Sequence, residues 1–131
     1  MLASSAPKPI KTPGPDHPIT IARNPHRIVI TVAGRMIADT RDSLTLHEAN
    51  YQPVHYIPRK DVDMTLLTPT DHATYCPYKG ECSYFSLQPA GTRGTNAVWS
   101  YEAPYPSVAA IKDHLAFYPD HVDTIQELPP D

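Results

Sequence analysis

Cysteine is scarce in this chain. Cys76 and Cys82 are the only two, too few for a disulfide framework, and no Cys-x-x-Cys pair is present to begin a tetrahedral zinc site. The seven histidines never occur as His-x-His or His-x-x-x-His, so they read as scattered side chains, and neither a metal nor another cofactor is expected. Only His47, His55 and His72 lie where neighbouring strands could bring them together. An excess of positive charge is also lacking. With 11 basic and 14 acidic residues and a formal charge of -3, the chain has no field to draw in polyanionic backbones. That argues against nucleic acid as a main partner and leaves a small anionic ligand open. No apolar run approaches the roughly 20 residues needed to cross a bilayer, and the N-terminus lacks the charged start and apolar stretch of a secretory signal. No membrane partner is expected, and the reading is cytosolic.

What is present fits one domain, since 131 residues can bury a core without disulfide or metal staples. Residues 1–18 hold Pro7, Pro9, Pro13, Pro15 and Pro18 with no apolar period, the composition of a flexible arm outside the core. A single β-rich domain is expected over residues 19–126, followed by a fraying tail, 127–131. Strands are predicted at Ile19 to Ile21, through the β-branched run Arg27 to Val32, and after an Ala33-Gly34 turn at Arg35 to Ala38. Leu44 and Leu46 alternate with Thr45 and His47, and Val54 and Tyr56 alternate with His55 and Ile57, as half-buried strands do. Arg59 to Met64 reads as a short helical turn or a loop crossing the sheet edge, after which Leu66 and Leu67 plug the core. Further strands are predicted at Cys82 to Leu87, at Ala97 to Tyr101 and from Phe117 to Val122. Ser107 caps one short α-helix carrying Val108, Ile111 and Leu115 on one face.

The segment Thr74-Tyr75-Cys76-Pro77-Tyr78-Lys79-Gly80-Glu81-Cys82-Ser83-Tyr84 crowds thiol, ammonium and phenol groups into one turn between strands. Loops held by a rigid sheet are where function concentrates. The predicted cleft brings together Tyr56, Arg59, Asp61, Cys76, Lys79, Tyr84, Trp99 and Tyr101, with aromatic walls and charge from Arg59 and Lys79. Each has a plainer reading: the aromatics pack, Arg59 and Asp61 form a surface ion pair, and Lys79 is solvated beside Gly80. Cys82 reads as a small buried hydrophobe. Were Cys76 catalytic it would need a thiolate, with His72 as base and Asp71 orienting it, or with Lys79 favouring the anion. Asp61 and Asp63 form an Asp-x-Asp pair of the kind that can hold Mg²⁺ against a triphosphate.

Several of these stretches resemble the domain-of-unknown-function family numbered 427. They are Ala33-Gly34-Arg35 with Ile37-Ala38-Asp39-Thr40, Tyr56-Ile57-Pro58-Arg59 with Asp61-Val62, Thr74 with Cys76-Pro77-Tyr78-Lys79-Gly80 and Tyr84, and Trp99-Ser100-Tyr101 with Pro104. The resemblance implies a β fold of the tent type, in which two antiparallel sheets meet at an angle over a ligand-accepting cleft, here without metal. It also implies a nucleotidyltransferase label, although no Gly-Ser turn precedes Asp61. Three classes of function follow: a binding module for a small polar or anionic molecule, an enzyme of the transferase or thiol type, and a protein-interaction domain.

Overall fold

The structure, a computed structural model, describes residues 8–130. The first seven residues of the expected arm and Asp131 of the expected tail lie outside the described residues. The chain is mainly β. Its strands are β1 (Ile19–Arg23), β2 (Arg27–Val32), β3 (Arg35–Thr40), β4 (Leu44–Glu48), β5 (Val54–Tyr56), β6 (Leu67–Cys76), β7 (Gly80–Leu87), β8 (Val98–Ser100), β9 (Ala116–Phe117) and β10 (Thr124–Leu128). They pair antiparallel into three sheets, ordered β1-β4-β5, β10-β2-β3 and β6-β7-β8-β9, where two sheets were expected. No helix among the described residues is long and apolar enough to cross a membrane.

Strands β7 and β8 of the third sheet carry buried side chains on both faces, while β6 is largely exposed, and this organises the core. Register places Tyr84 beside Trp99 and Trp99 beside Ala116 on one face, and Phe85 beside Val98 and Val98 beside Phe117 on the other. Because side chains alternate across a strand, β7 sends Phe85 and Leu87 into a cluster with Ile28, Ile30, Val32 and Ile37 of the second sheet. It sends Cys82 and Tyr84 into another cluster with Leu46 and Tyr56 of the first sheet. The Ala33-Gly34 turn joins β2 to β3 with both residues at positive φ, 51° and 74°, the conformation a two-residue hairpin requires.

The predicted α-helix is instead a pair of 3-10 turns over Pro106–Ile111, broken at Val108 with φ -126° and without a side-chain cap from Ser107. Val108, Ile111 and Leu115 are fully buried as the spacing predicted. Leu115, however, exchanges both backbone hydrogen bonds with Ile57 at 2.8 Å. A helix continued to Leu115 would spend that N–H on Ile111, so the tertiary pairing ends it. The C-terminal end differs as well: β10 runs through Glu127 and Leu128, paired with Ile28 and Arg27, two residues into the expected tail.

Candidate functional site

The turn between β6 and β7 sets the site. Pro77 supplies the fixed φ that a β-turn's second position favours, Lys79 N–H donates to Cys76 C=O at 3.2 Å, and Gly80 follows at φ 110°, open to glycine and strained for other residues. Tyr105 N–H then donates to Lys79 C=O at 3.0 Å, so the segment after Pro104 lies over the turn. Lys79 is thereby turned inward and left 7 % exposed. On β4 the same alternation that buries Leu46 carries Glu48 inward to 8 % exposure.

These two side chains meet. Lys79 Nζ donates to Glu48 Oε1, while His17 Nε2 donates to Glu48 Oε2 at 2.7 Å. His17 is held by stacking on Tyr78, with ring centroids 4.0 Å apart and 6° between planes. Burial on its own would raise the Glu48 carboxyl, but the hydrogen bonds from Lys79 and His17 outweigh it and hold the group below its ordinary range. Residues 8–18, read as an arm, thus lie against the domain at several points: besides His17, Lys11 N–H donates to Pro77 C=O at 2.9 Å, and the Tyr75 hydroxyl donates to Pro9 C=O at 2.7 Å.

The Lys79–Glu48 pair forms one wall of a cleft of about 230 Å³, completed by Tyr56, Tyr84, Trp99, Tyr101 and Tyr118 with Leu46 and Val54. Lys79 Nζ stands 5.9 Å from the centre of the Tyr101 ring. Trp99 packs edge-on to Tyr56 and tilted against Tyr118, and its Nε1–H donates to the Tyr56 hydroxyl at 3.3 Å. The Tyr84 hydroxyl shares a 2.9 Å hydrogen bond with Thr74. Burial raises the phenols of Tyr56, Tyr84 and Tyr101 far enough that all three stay un-ionised and act as donors. The Cys82 thiol beneath them is likewise pushed up by burial, against hydrogen bonds from Tyr84, Thr74 and Tyr101, and is a poor nucleophile.

Of the eight residues predicted to converge, Tyr56, Lys79, Tyr84, Trp99 and Tyr101 line this cleft. Arg59, Asp61 and Cys76 do not. The 3-10 turn Arg59–Asp61 directs Arg59 to the Asp113 carbonyl at 2.7 Å, the Glu102 carboxylate at 2.9 Å and the Phe85 ring, whose side chain belongs to the other cluster. Asp61 accepts from Thr40 at 2.7 Å and from Lys60 at 3.2 Å, beside β3. Cys76 packs partly buried at the edge of the Tyr56 cluster. The thiol constellation is not assembled: His72 sits on the same extended strand, four residues from Cys76 and thus roughly 13 Å away by strand rise, and its ring lies on Tyr84 with centroids 4.4 Å apart. The Asp-x-Asp pair is spent on local structure too, for Asp63 accepts from Thr65 N–H at 3.2 Å while Asp61 holds Thr40. Among the described residues no three His, Cys, Asp or Glu side chains group so as to hold a metal ion. His47 and His55 do share a groove, with His26 and Glu127 rather than with His72.

Glu48, His17 and Tyr118 were missed. Glu48 was within reach of pattern, because one further step of the Leu44, Leu46 alternation lands on it. His17 carried no signal, being brought in by contacts far along the chain. No curated protein matches the sequence significantly. The family described as a domain of unknown function (DUF427, NTP_transf_9) matches residues 20–128, strands β1 to β10 nearly in full, and the chain belongs to it.

Proposed function

We propose that the cleft binds a small polar or anionic molecule, with Lys79 as its charged contact, the phenols of Tyr56, Tyr84 and Tyr101 as hydrogen-bond donors, and Trp99 and Tyr118 as walls. The carrying observation is a buried lysine, only 7 % exposed, whose ammonium faces an aromatic cavity. Burying an ion pair costs several kcal/mol of desolvation per ion, and apolar residues of similar volume usually serve folding as well or better. A Lys–Glu pair set in a cavity wall is therefore better explained by recognition than by stability. Volume limits the ligand: at about 30 Å³ per water molecule, 230 Å³ holds roughly eight waters, or a ligand of a similar number of heavy atoms.

A thermal-shift panel of small carboxylates, phosphates and polyols tests this reading. A ligand at one hundred times its Kd adds about 2.7 kcal/mol of stability. The shift is expected in the wild type and in Arg59→Ala, and is expected to vanish in the pair Lys79→Met with Glu48→Gln, which removes both charges without stranding either. A shift retained in that pair, or lost equally in Arg59→Ala, contradicts the assignment.

A further inference from the structure

Lys79 brings a charge to the cleft, and its surroundings also suit it to react. Of the three N–H donors of its ammonium, Glu48 takes one, and the cleft lies in front of the others. Glu48 is a proton acceptor in direct contact, and its second oxygen is fixed by His17, whose side chain is 21 % exposed and so links the pair to solvent. Trp99 donates to the Tyr56 oxygen, which leaves the Tyr56 hydroxyl proton free to be given to a ligand oxygen. A buried lysine, a carboxylate in contact with it that can take its proton transiently and return it as an acid, and neutral donors for an oxygen atom make up the set that carbonyl condensation requires.

We infer that Lys79 forms an imine with the carbonyl carbon of a small aldehyde or 2-oxo acid bound in the cleft. In the first step Glu48 Oε1 takes a proton from the Lys79 ammonium as the nitrogen adds to the carbonyl carbon, so the carboxyl carries that proton only through the addition. The C–N bond forms as the C=O π bond breaks, and with proton transfer from nitrogen to oxygen the product is a neutral carbinolamine. In the second step the proton held by Glu48 goes to the carbinolamine oxygen, the C–O bond breaks, and water leaves. The nitrogen lone pair closes the C=N bond. Ammonium and carbonyl become iminium and water, Glu48 is restored as the carboxylate, and no oxidant or reductant is consumed. A 2-oxo acid suits the site better than a plain aldehyde, because its carboxylate can take the phenol donors while its carbonyl meets the amine.

This inference rests on the cleft being a binding site, and the experiment separates the two. The full chain is incubated with glyoxylate and sodium cyanoborohydride at neutral pH, and the rate of reductive labelling is read at each lysine by peptide mass mapping. Lys8, Lys11, Lys60 and Lys112 are all exposed and act as internal references. If Lys79 forms the imine, it labels about tenfold or more ahead of those four, and Glu48→Gln slows it by about a hundredfold while leaving the references unchanged. A Lys79 that is only a structural ion-pair partner labels last of the five, and that result overturns the inference, as does a Glu48→Gln rate equal to wild type. Should Glu48→Gln fail to fold, glycolate serves instead: it has the size and charge of glyoxylate but no reactive carbonyl, and it must slow Lys79 selectively in the wild type. Glycolate raising the melting temperature while glyoxylate leaves Lys79 unlabelled would retain the binding site and reject the imine. Absence of both effects would reject both.

Discussion

At the scale of single residues, the molecule turns on Glu48 and Lys79, each more than nine-tenths buried. Removing one partner leaves an uncompensated ion, so Lys79→Met is expected to cost roughly 3–5 kcal/mol in denaturant unfolding, and adding Glu48→Gln should recover most of it. Recovery of less than half would mean that the pair also holds the fold. The acid side follows from Glu48. Its carboxyl is depressed below the ordinary 4.5, so it contributes stability that is fully present above that value and is lost as pH falls through the lower folded value. The Glu48 contribution should therefore hold down to about pH 5 and be lost below it, a fall that should be shallower in Glu48→Gln, while His55, whose imidazole burial holds below its ordinary 6.5, starts a gentler decline below about pH 6.5 in both proteins. Asp39, drawn down by its hydrogen bond to Arg27, adds to the decline in both proteins. Lys79 was legible as a candidate from the crowded turn, but its inward direction was not, because that depends on Tyr105 bonding across the turn.

Among the elements, the strands were readable where alternation was sustained, as in β4 and β5, or where β-branched residues ran together, as in β2, and the errors fell where a distant partner decides the conformation. The 107–115 stretch has helical spacing and buries the predicted residues, yet the reciprocal bonds between Ile57 and Leu115 hold its end extended. Arg59 followed the same rule: its sequence neighbourhood pointed to the cleft, while the 3-10 turn after Pro58 points it toward Glu102. The turn between β7 and β8 offers a clean test. A Cβ added at Gly94 would meet the Leu87 carbonyl oxygen at 2.3 Å, and that oxygen belongs to backbone that cannot swing aside. Gly94→Ala should cost about 1–3 kcal/mol, the usual range for overpacking, read from the midpoint of urea unfolding. An unchanged midpoint would mean that β7 and the turn give way to admit the methyl group.

For the whole molecule, the shared sheet makes the two hydrophobic clusters interdependent, because β7 and β8 contribute to both. Ile30 lies in one cluster and Ile111 in the other, each essentially fully buried. Truncating either to alanine should cost about 2–5 kcal/mol and lower one common transition. The single tryptophan, Trp99, reports on the Tyr56 cluster, so its fluorescence should change in step with far-ultraviolet circular dichroism in both variants. Separate transitions would divide the chain into two folding units. The cleft lies where the first and third sheets approach across that cluster, and a bound ligand there should stiffen the whole. The most direct test is a crystal structure of the protein with the strongest small acid from the thermal-shift panel. The expected result is ligand density within hydrogen-bond distance of Lys79 Nζ and against Trp99. Density seated instead at Arg59 or in the groove of His26, His47 and His55, with the Lys79 cleft unchanged, would contradict the account.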